Sequence, residues 1–428
     1  MDNQQKTLLQ QQVASKMVQN KYMAILWATS LGKSFAAIRS ILSTKSKYVL
    51  IIVAERAHKK NWKNEFVKFK ELFPEEVKDS KLQKLQIECY ASLHKLPYSQ
   101  WDMVIWDEAH HLYTQKRMDY AQTIQASNMM FLSATLSRKM LSQYSILFAH
   151  PILVEEYTLQ KGFDSELLAE PKIFAIRLEL DNTVQDIQVK EGWGSRNREN
   201  IVCTYEQRLK YLNNKKHYKA VNLTIKCSEK QYYDYLTEKM NQYETLFKNT
   251  NVAFYRNYWM KYASMRKKFV GEWKIWSAYN LVGLLIHKKY ICFCASIDQA
   301  KKLNENLLRY NISSGIIHSK LSTKQNAETI EKFNKNEISH LFAINMLKEG
   351  QNLTGIQAGI IIQLDGEIRS FIQRFGRVLR AESPEQYILY VKDTQDEKYK
   401  NEALAGIDSK YIKELTLHEL VNSVLKHE

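Results

Sequence analysis

Two doubly wound α/β domains, separated by a basic and largely helical insert, are what this 428-residue sequence predicts. Three observations carry that expectation. Short, continuous apolar runs, of the kind a strand buried on both faces requires, recur early and again late in the chain. Helix-period segments lie between them. The alternation then breaks in the middle, where basic and aromatic residues crowd together.

Taken in order, YMAILWATSLGKSF (22–35) reads as a strand, a turn and a helix start. YVLIIVA (48–54), MVIW (103–106) and MFL (130–132) are further buried strands. ICFCA (291–295), LFAIN (341–345) and GIIIQL (359–364) repeat the pattern, with helical segments such as QAKKLNENLLRY (299–310) between them. Such alternation makes parallel sheets covered on both faces. Between about 165 and 280 the chain offers strand-like PKIFAIRLEL (171–180) and AVNLTIKC (220–227). Aromatic-rich helical stretches follow at roughly 228–248 and 252–270. The expected domains are therefore 1–165, an insert over 166–280, and 281–428 with a helical tail.

Composition narrows the class. Hydrophobic residues at 45% and charged residues at 25% describe an ordinary globular chain. No apolar run is long enough to cross a bilayer, so no membrane is expected as a partner. The opening segment MDNQQKTLLQQQ has no basic stretch leading into an apolar core, so no secretory signal is expected there. The five cysteines form no CxxC pair, so neither a zinc ribbon nor a disulfide framework is suggested, which suits a reducing cytoplasm. The net charge of +16 is concentrated in residues 1–50 and 201–300. That concentration points to a polyanion partner, although a solvated basic face would give the same count.

Three motifs carry chemistry. In ATSLGKS (28–34), a strand feeding a tight loop and a helix aims backbone N–H groups at an anion. Lys33 would reach the outer phosphates and Ser34 would ligate Mg2+. The full GxxxxGK[ST] pattern is not met, because Trp27 stands where its first glycine belongs. In WDEAHH (106–111), two carboxylates follow a buried strand, where α/β sheets place ligand chemistry. Asp107 would hold the magnesium's water shell and Glu108 would act as general base. Standing alone, the pair would more readily be a solvated acidic turn capping a helix. In QRFGRVLR (373–380), Arg377 and Arg380 are spaced to share one helix face and reach one anion.

Together these motifs resemble the ordered series of a superfamily 2 helicase or translocase. ATSLGKS is similar to motif I. VAERAHKKNWKNEF (53–66) resembles motif Ia in its Swi/Snf-like form, with a Trp-x-x-Glu helix. IECYASLHK (87–95) resembles motif Ib, DEAHH motif II and FLSATL (131–136) motif III. YICFCASIDQA (290–300), INMLKEGQNLT (344–354) and QRFGRVLR are similar to motifs IV, V and VI.

The resemblance implies two RecA-like domains binding ATP and Mg2+ in their cleft. Lys33, Asp107, Glu108, Gln373, Arg377 and Arg380 would be catalytic. Ala28, Thr29, Ser30, Leu31, Gly32, Lys33 and Ser34 would cradle the nucleotide, and Gln11 would contact adenine. Its neighbours Gln10 and Gln12 leave that register open. Ser133, Ala134, Thr135 and Gly350 would couple the nucleotide to the nucleic acid. One departure concerns position 30, where the family's Gly-x-Gly-Lys-Thr has a glycine and this chain has serine. A stiffer loop with a side chain near the phosphates implies slower or more dependent hydrolysis.

Nucleic-acid contacts are expected at Arg56, Lys60, His318, Lys320, Asn352 and Thr354 by family analogy. In the insert, Arg256, Lys261, Arg266 and Lys267 would neutralise phosphates without reading sequence. Tyr255, Tyr258, Trp259 and Tyr262 could stack on unpaired bases, but their i, i+3, i+4, i+7 spacing also fits packing into a core. The expected activity is ATP-driven movement along DNA, single- or double-stranded, with unwinding or remodelling. An RNA helicase and a slowly hydrolysing ATP-gated clamp are the alternatives. A subunit of a larger replication, repair or restriction complex would also fit.

Overall fold

The computed structural model describes residues 3–96, 99–194, 198–218, 220–344 and 353–425. The first parallel sheet contains β1 (Tyr22–Trp27), β2 (Tyr48–Val53), β3 (Lys84–Cys89), β4 (Ser99–Trp106), β5 (Ile124–Ser133) and β6 (Leu153–Tyr157). Their order is β3-β2-β4-β5-β1-β6, so the two motif-bearing strands, β1 and β4, flank β5. Every residue of β1 is buried, as its unbroken apolar run requires. Helix α1 (Asn3–Asn20) precedes β1, α2 (Lys33–Ser43) leaves its carboxyl end, and α3 (Arg56–Leu72) leaves that of β2.

After β7 (Lys172–Leu178) come β8 (Ile187–Trp193), β9 (Glu199–Thr204) and β10 (Val221–Cys227), which form a three-stranded sheet ordered β8-β10-β9. The remaining strands are β11 (Tyr290–Phe293), β12 (Ser314–His318), β13 (His340–Ile344), β14 (Ala358–Ile361), β15 (Glu385–Val391) and β16 (Ile412–Thr416). The second large sheet runs β12-β13-β11-β14-β15-β7-β16. Its pairings β12–β13, β13–β11, β11–β14 and β14–β15 are all parallel. Two parallel-sheet α/β halves of RecA-like type are thus present.

Two differences from the sequence expectation concern the insert. β7 belongs to the second large sheet rather than to the insert, since its alternating burial finds partners there. The insert is also less purely helical than expected, because β8, β9 and β10 form a sheet of their own. β8 (IQVKEGW) buries only Val189, so its apolar signal is too thin to read in advance.

The chain divides into two compact units. One comprises Met1–Ala175, Val282–Ile388 and Lys398–Leu415, and so holds both parallel halves with motifs I to VI. The other gathers Ile176–Leu281 with Leu389–Glu397 and Thr416–Glu428.

Within that second unit, helices Glu229–Thr250 and Ala253–Trp273 form an antiparallel hairpin. The first starts on a capping box between Ser228 and Gln231 and stops at Asn251 in left-handed conformation (φ 54°). Tyr243 lies 5.0 Å from Tyr258 and 5.7 Å from Tyr262, and Phe247 lies 6.1 Å from Trp259. The aromatic stripe therefore holds the hairpin together. No described helix is long and apolar enough to cross a membrane.

Candidate nucleotide site and nucleic-acid cleft

The loop between β1 and α2 has two residues with left-handed backbone, Ser30 (φ 74°) and Gly32 (φ 82°). At position 32 any Cβ would collide with the Gln10 side chain, so glycine is required there. Gln10 is buried and donates to the Leu31 carbonyl at 3.3 Å, while the Arg39 guanidinium donates to its Oε1. Gln11, the next residue of α1, is exposed. It is Gln10, one residue earlier than the expected adenine contact, that lies against the loop.

Lys33 opens α2, and its Nζ donates to the carbonyls of Trp27 (2.9 Å) and Ala28 (3.5 Å). Burial pulls its pKa down, and the charges of Glu108 and Asp107 push it back up. Lysine and both carboxylates therefore share one electrostatic site. Asp107 is fixed from several sides. Trp62 Nε1 of α3 donates to its Oδ2 at 2.8 Å, the Glu108 amide reaches Oδ1 at 3.1 Å, and the Tyr90 hydroxyl donates to its carbonyl at 3.1 Å. Glu108 adopts the left-handed region (φ 47°), which turns the chain sharply after β4. His110 Nδ1 lies 3.4 Å from Glu108 Oε2.

The helix Ile368–Val378 carries motif VI and meets the loop directly. Thr29 Oγ1 donates to the Ile372 carbonyl at 3.3 Å, and Ser30 Oγ donates to the Gly376 carbonyl at 3.0 Å. Gly376 has no room for a Cβ, which would run into Thr29. Motif III reaches the same helix: Arg369 Nε donates to Thr135 Oγ1 at 2.9 Å. Ser133 is buried, with its hydroxyl spanning the Thr135 amide (3.1 Å) and carbonyl (3.0 Å). Ala134 lies half-buried between them.

Gln373 and Arg377 are buried on the helix. The helix ends at Val378, and Arg380 falls in the turn that follows it. Its charge is felt by Glu65 of α3. Arg369 was missed by sequence reasoning, although the i, i+4, i+8 stripe Arg369–Gln373–Arg377 carries its signal.

The donor set fits ATP with magnesium: an ammonium at Lys33, a hydroxyl at Ser34, and carboxylates at Asp107 and Glu108, around a loop whose Gly32 leaves the backbone bare.

A cleft of about 390 Å³ opens beside this site, lined by Ala54, Glu55, Arg56, Lys59, Cys89, Ala91 and Ser92. Arg56 and Lys60 are exposed at the start of α3. In the second half, His318 is buried, its amide and carbonyl both bound by Asn326, while Lys320 is exposed. Thr354 is exposed and bound to Asn334 Oδ1. Gly350 and Asn352, with most of the expected motif V, lie outside the described residues. In the hairpin, Arg256, Lys261 and Lys267 are exposed, whereas Arg266 turns inward to Thr237 Oγ1 at 3.2 Å.

Comparison with known proteins agrees with this arrangement. The DEAD/DEAH box helicase model matches residues 7–143, and the helicase conserved C-terminal domain model matches residues 274–382. The ATP-dependent RNA helicase MAK5 of Eremothecium gossypii is 34% identical over 101 residues, which is 22% of this chain and 13% of that protein. The DEAD-box ATP-dependent RNA helicase CshB of Staphylococcus aureus is 26% identical over 110 residues, 26% of this chain and 25% of that one. The UvrABC system protein B of Borreliella afzelii is 34% identical over 89 residues, 19% of this chain and 13% of the relative.

The matches thus span a quarter or less of these relatives' lengths. In fold, S. cerevisiae Dbp5 bound to RNA and ADP BeF3 superposes with TM-score 0.54 at 14% identity, over 97% of this chain and 92% of that one. Mss116 bound to ssRNA and UDP-BeF gives TM-score 0.54 at 13% identity, over 95% and 74%. With two helicase models covering more than half of its length, in order and on the two parallel halves, the chain belongs to the superfamily 2 helicases.

Proposed function

We propose that this chain is a nucleic-acid-stimulated ATPase that couples MgATP hydrolysis to movement along, or separation of, RNA strands. The observation that carries the reading is the convergence of Lys33, Asp107 and Glu108 with a motif VI helix docked through Thr29, Ser30 and Thr135. RNA as the polymer is supported by the names of MAK5 and CshB and by the RNA-bound states of Dbp5 and Mss116.

When bound, MgATP would supply the phosphoanhydride whose hydrolysis drives the cycle. Lys33 and Ser34 would hold its phosphates and metal at the positive end of α2. Asp107 would orient the metal's water shell. Glu108 would take the proton of the attacking water on a carboxylate oxygen. Gln373 and Arg377, with Arg380 from the turn, would neutralise charge developing on the transferred group. Ser133, Thr135 and Arg369 would relay closure between the halves. Arg56, Lys60, Lys320 and Thr354 would grip phosphates without reading sequence. On the hairpin, Arg256, Lys261 and Lys267 would add a salt-dependent contact.

A DNA translocase is the second reading, favoured by the Trp62-x-x-Glu65 helix and its Swi/Snf-like form. Strand separation and ATPase stimulation, compared on RNA and DNA duplexes of one sequence, test the choice. Stimulation and unwinding on RNA alone support the proposal. Stimulation by DNA alone overturns it in favour of the second reading.

A further inference from the structure

The two walls of the cleft beside the nucleotide site each send one side chain to Asp107. One wall is α3, which contributes Arg56 and Lys59 to the lining. One turn further on, the indole of Trp62 donates to Asp107 Oδ2 at 2.8 Å. The other wall is the segment following β3, where Cys89, Ala91 and Ser92 line the cleft. Tyr90, between them in sequence, is buried and donates its hydroxyl to the Asp107 carbonyl at 3.1 Å.

Neither contact follows from packing alone. Trp62 is already buried in the apolar core, its ring 6.3 Å from that of Phe66. A phenylalanine would serve that purpose, yet the indole N–H is spent on a carboxylate. The Glu108 N–H reaches the other carboxylate oxygen, Oδ1, at 3.1 Å, so the indole takes Oδ2. Tyr90 is buried, and its hydroxyl fixes the main chain of Asp107 rather than its side chain. α3 continues to the far side of the site, where Glu65 feels the charge of Arg380. Residues 56, 59, 62 and 65 thus form one i+3 series, running from cleft to carboxylate to motif VI arginine.

We propose that Trp62 and Tyr90 are positioning residues that tether Asp107 to the two walls of the cleft, so that a strand seated between Arg56, Lys59 and Ser92 sets the orientation of the magnesium-binding carboxylate. The inference rests on the functional reading above. A strand drawing α3 and the 90–92 segment together tightens both donors on Asp107. Stimulation by nucleic acid then arises at the metal site rather than through general stiffening of the fold.

The test uses the full chain and the variants Trp62→Phe, Trp62→His and Tyr90→Phe. Three quantities are measured for each: ATPase rate with and without a single-stranded RNA oligonucleotide, the Mg2+ midpoint of basal hydrolysis, and oligonucleotide affinity. Loss of one hydrogen bond to an ion corresponds to about a tenfold effect. Trp62→Phe is expected to raise the Mg2+ midpoint about tenfold and to reduce the stimulated-to-basal ratio severalfold, with oligonucleotide affinity unchanged. Trp62→His, which restores a ring N–H, should recover part of both.

Tyr90→Phe should lower the ratio as well, and it decides the matter if Trp62→Phe does not fold. A merely structural role would lower the melting temperature and both rates together, leaving ratio and midpoint in place, and that result overturns the proposal. A wild-type chain that no nucleic acid stimulates would instead remove the functional reading itself, whatever the variants do.

Discussion

The Ser30 hydroxyl donates to the Gly376 carbonyl at 3.0 Å, so the residue that departs from the family's glycine is bonded to the motif VI helix. Ser30 holds a left-handed backbone, φ 74°, which costs a non-glycine residue about 1–2 kcal/mol. A neutral hydrogen bond returns about 1 kcal/mol of that. The serine therefore trades loop freedom for a link between the two parallel halves.

Replacing Ser30 by glycine removes strain and link together. Stability should change by less than about 1 kcal/mol, because the two effects oppose. Basal hydrolysis should rise a few-fold and its dependence on nucleic acid should fall. Steady-state ATPase assays with and without polymer check this, and an unchanged dependence would show the Ser30 link to be idle.

Gly376→Ala addresses the same surface from the other side. Its Cβ would occupy the space of the Thr29 side chain, so loop and helix must part. ATPase activity should drop at least tenfold. Thr29→Ala is an insufficient partner, since the Thr29 Cβ is itself in the way. The double variant Thr29→Gly/Gly376→Ala should regain part of the loss, and absence of any rescue would place the defect elsewhere.

Thr135 and Arg369 offer a cleaner measure of coupling. Their 2.9 Å bond joins motif III to the motif VI helix. Thr135→Val and Arg369→Ala should each reduce nucleic-acid stimulation. In a double-mutant cycle they should show a coupling energy of about 1–2 kcal/mol. Simple additivity of the two would mean that the bond carries no signal.

Stability should also respond to pH through His340. The ring is buried against Tyr290, with its nitrogens near the carbonyls of Ile286 (3.0 Å) and Ser313 (3.4 Å). Burial lowers its pKa below 6.5 in spite of those carbonyls. The unfolded chain then binds a proton that the folded chain refuses. Stability falls as pH drops through about 6.5, by at most about 1.4 kcal/mol per unit for this group. His318, also lowered by burial and by Lys301 and Lys320, acts in the same direction. Urea denaturation between pH 7 and 5.5 should show a shallower slope for His340→Gln than for the wild type.

Much of this fold is legible in the chain because strands buried on both faces leave uninterrupted apolar runs. YVLIIV and MVIW could hardly be anything else. β8 and β9 escaped for the opposite reason, since their half-exposed faces carry Lys190, Glu191 and Glu199. The hairpin helices were readable from the same periodicity that packs Tyr258 and Tyr262 on Tyr243.

At the site, sequence identifies residue types but not register or partners. Gln10 rather than Gln11 reaches the loop, because one residue turns a helix by 100°. Arg380 falls in the turn just past Val378, since a spacing of three does not say where a helix ends. The link from Trp62 to Asp107 joins residues 45 positions apart, a relation that only the sheet order creates.

Lys33, Asp107 and Glu108 are proposed to serve a nucleic-acid-dependent ATPase. Steady-state ATP hydrolysis by the wild type and Glu108→Gln tests it most directly, without polymer and then with single-stranded RNA, duplex RNA, and DNA at one fixed salt concentration. Stimulation by RNA is expected, and its loss by a factor of at least about a hundred in Glu108→Gln. Flat, negligible turnover on every polymer, with nucleic acid still bound, would contradict it and leave an ATP-gated clamp in its place.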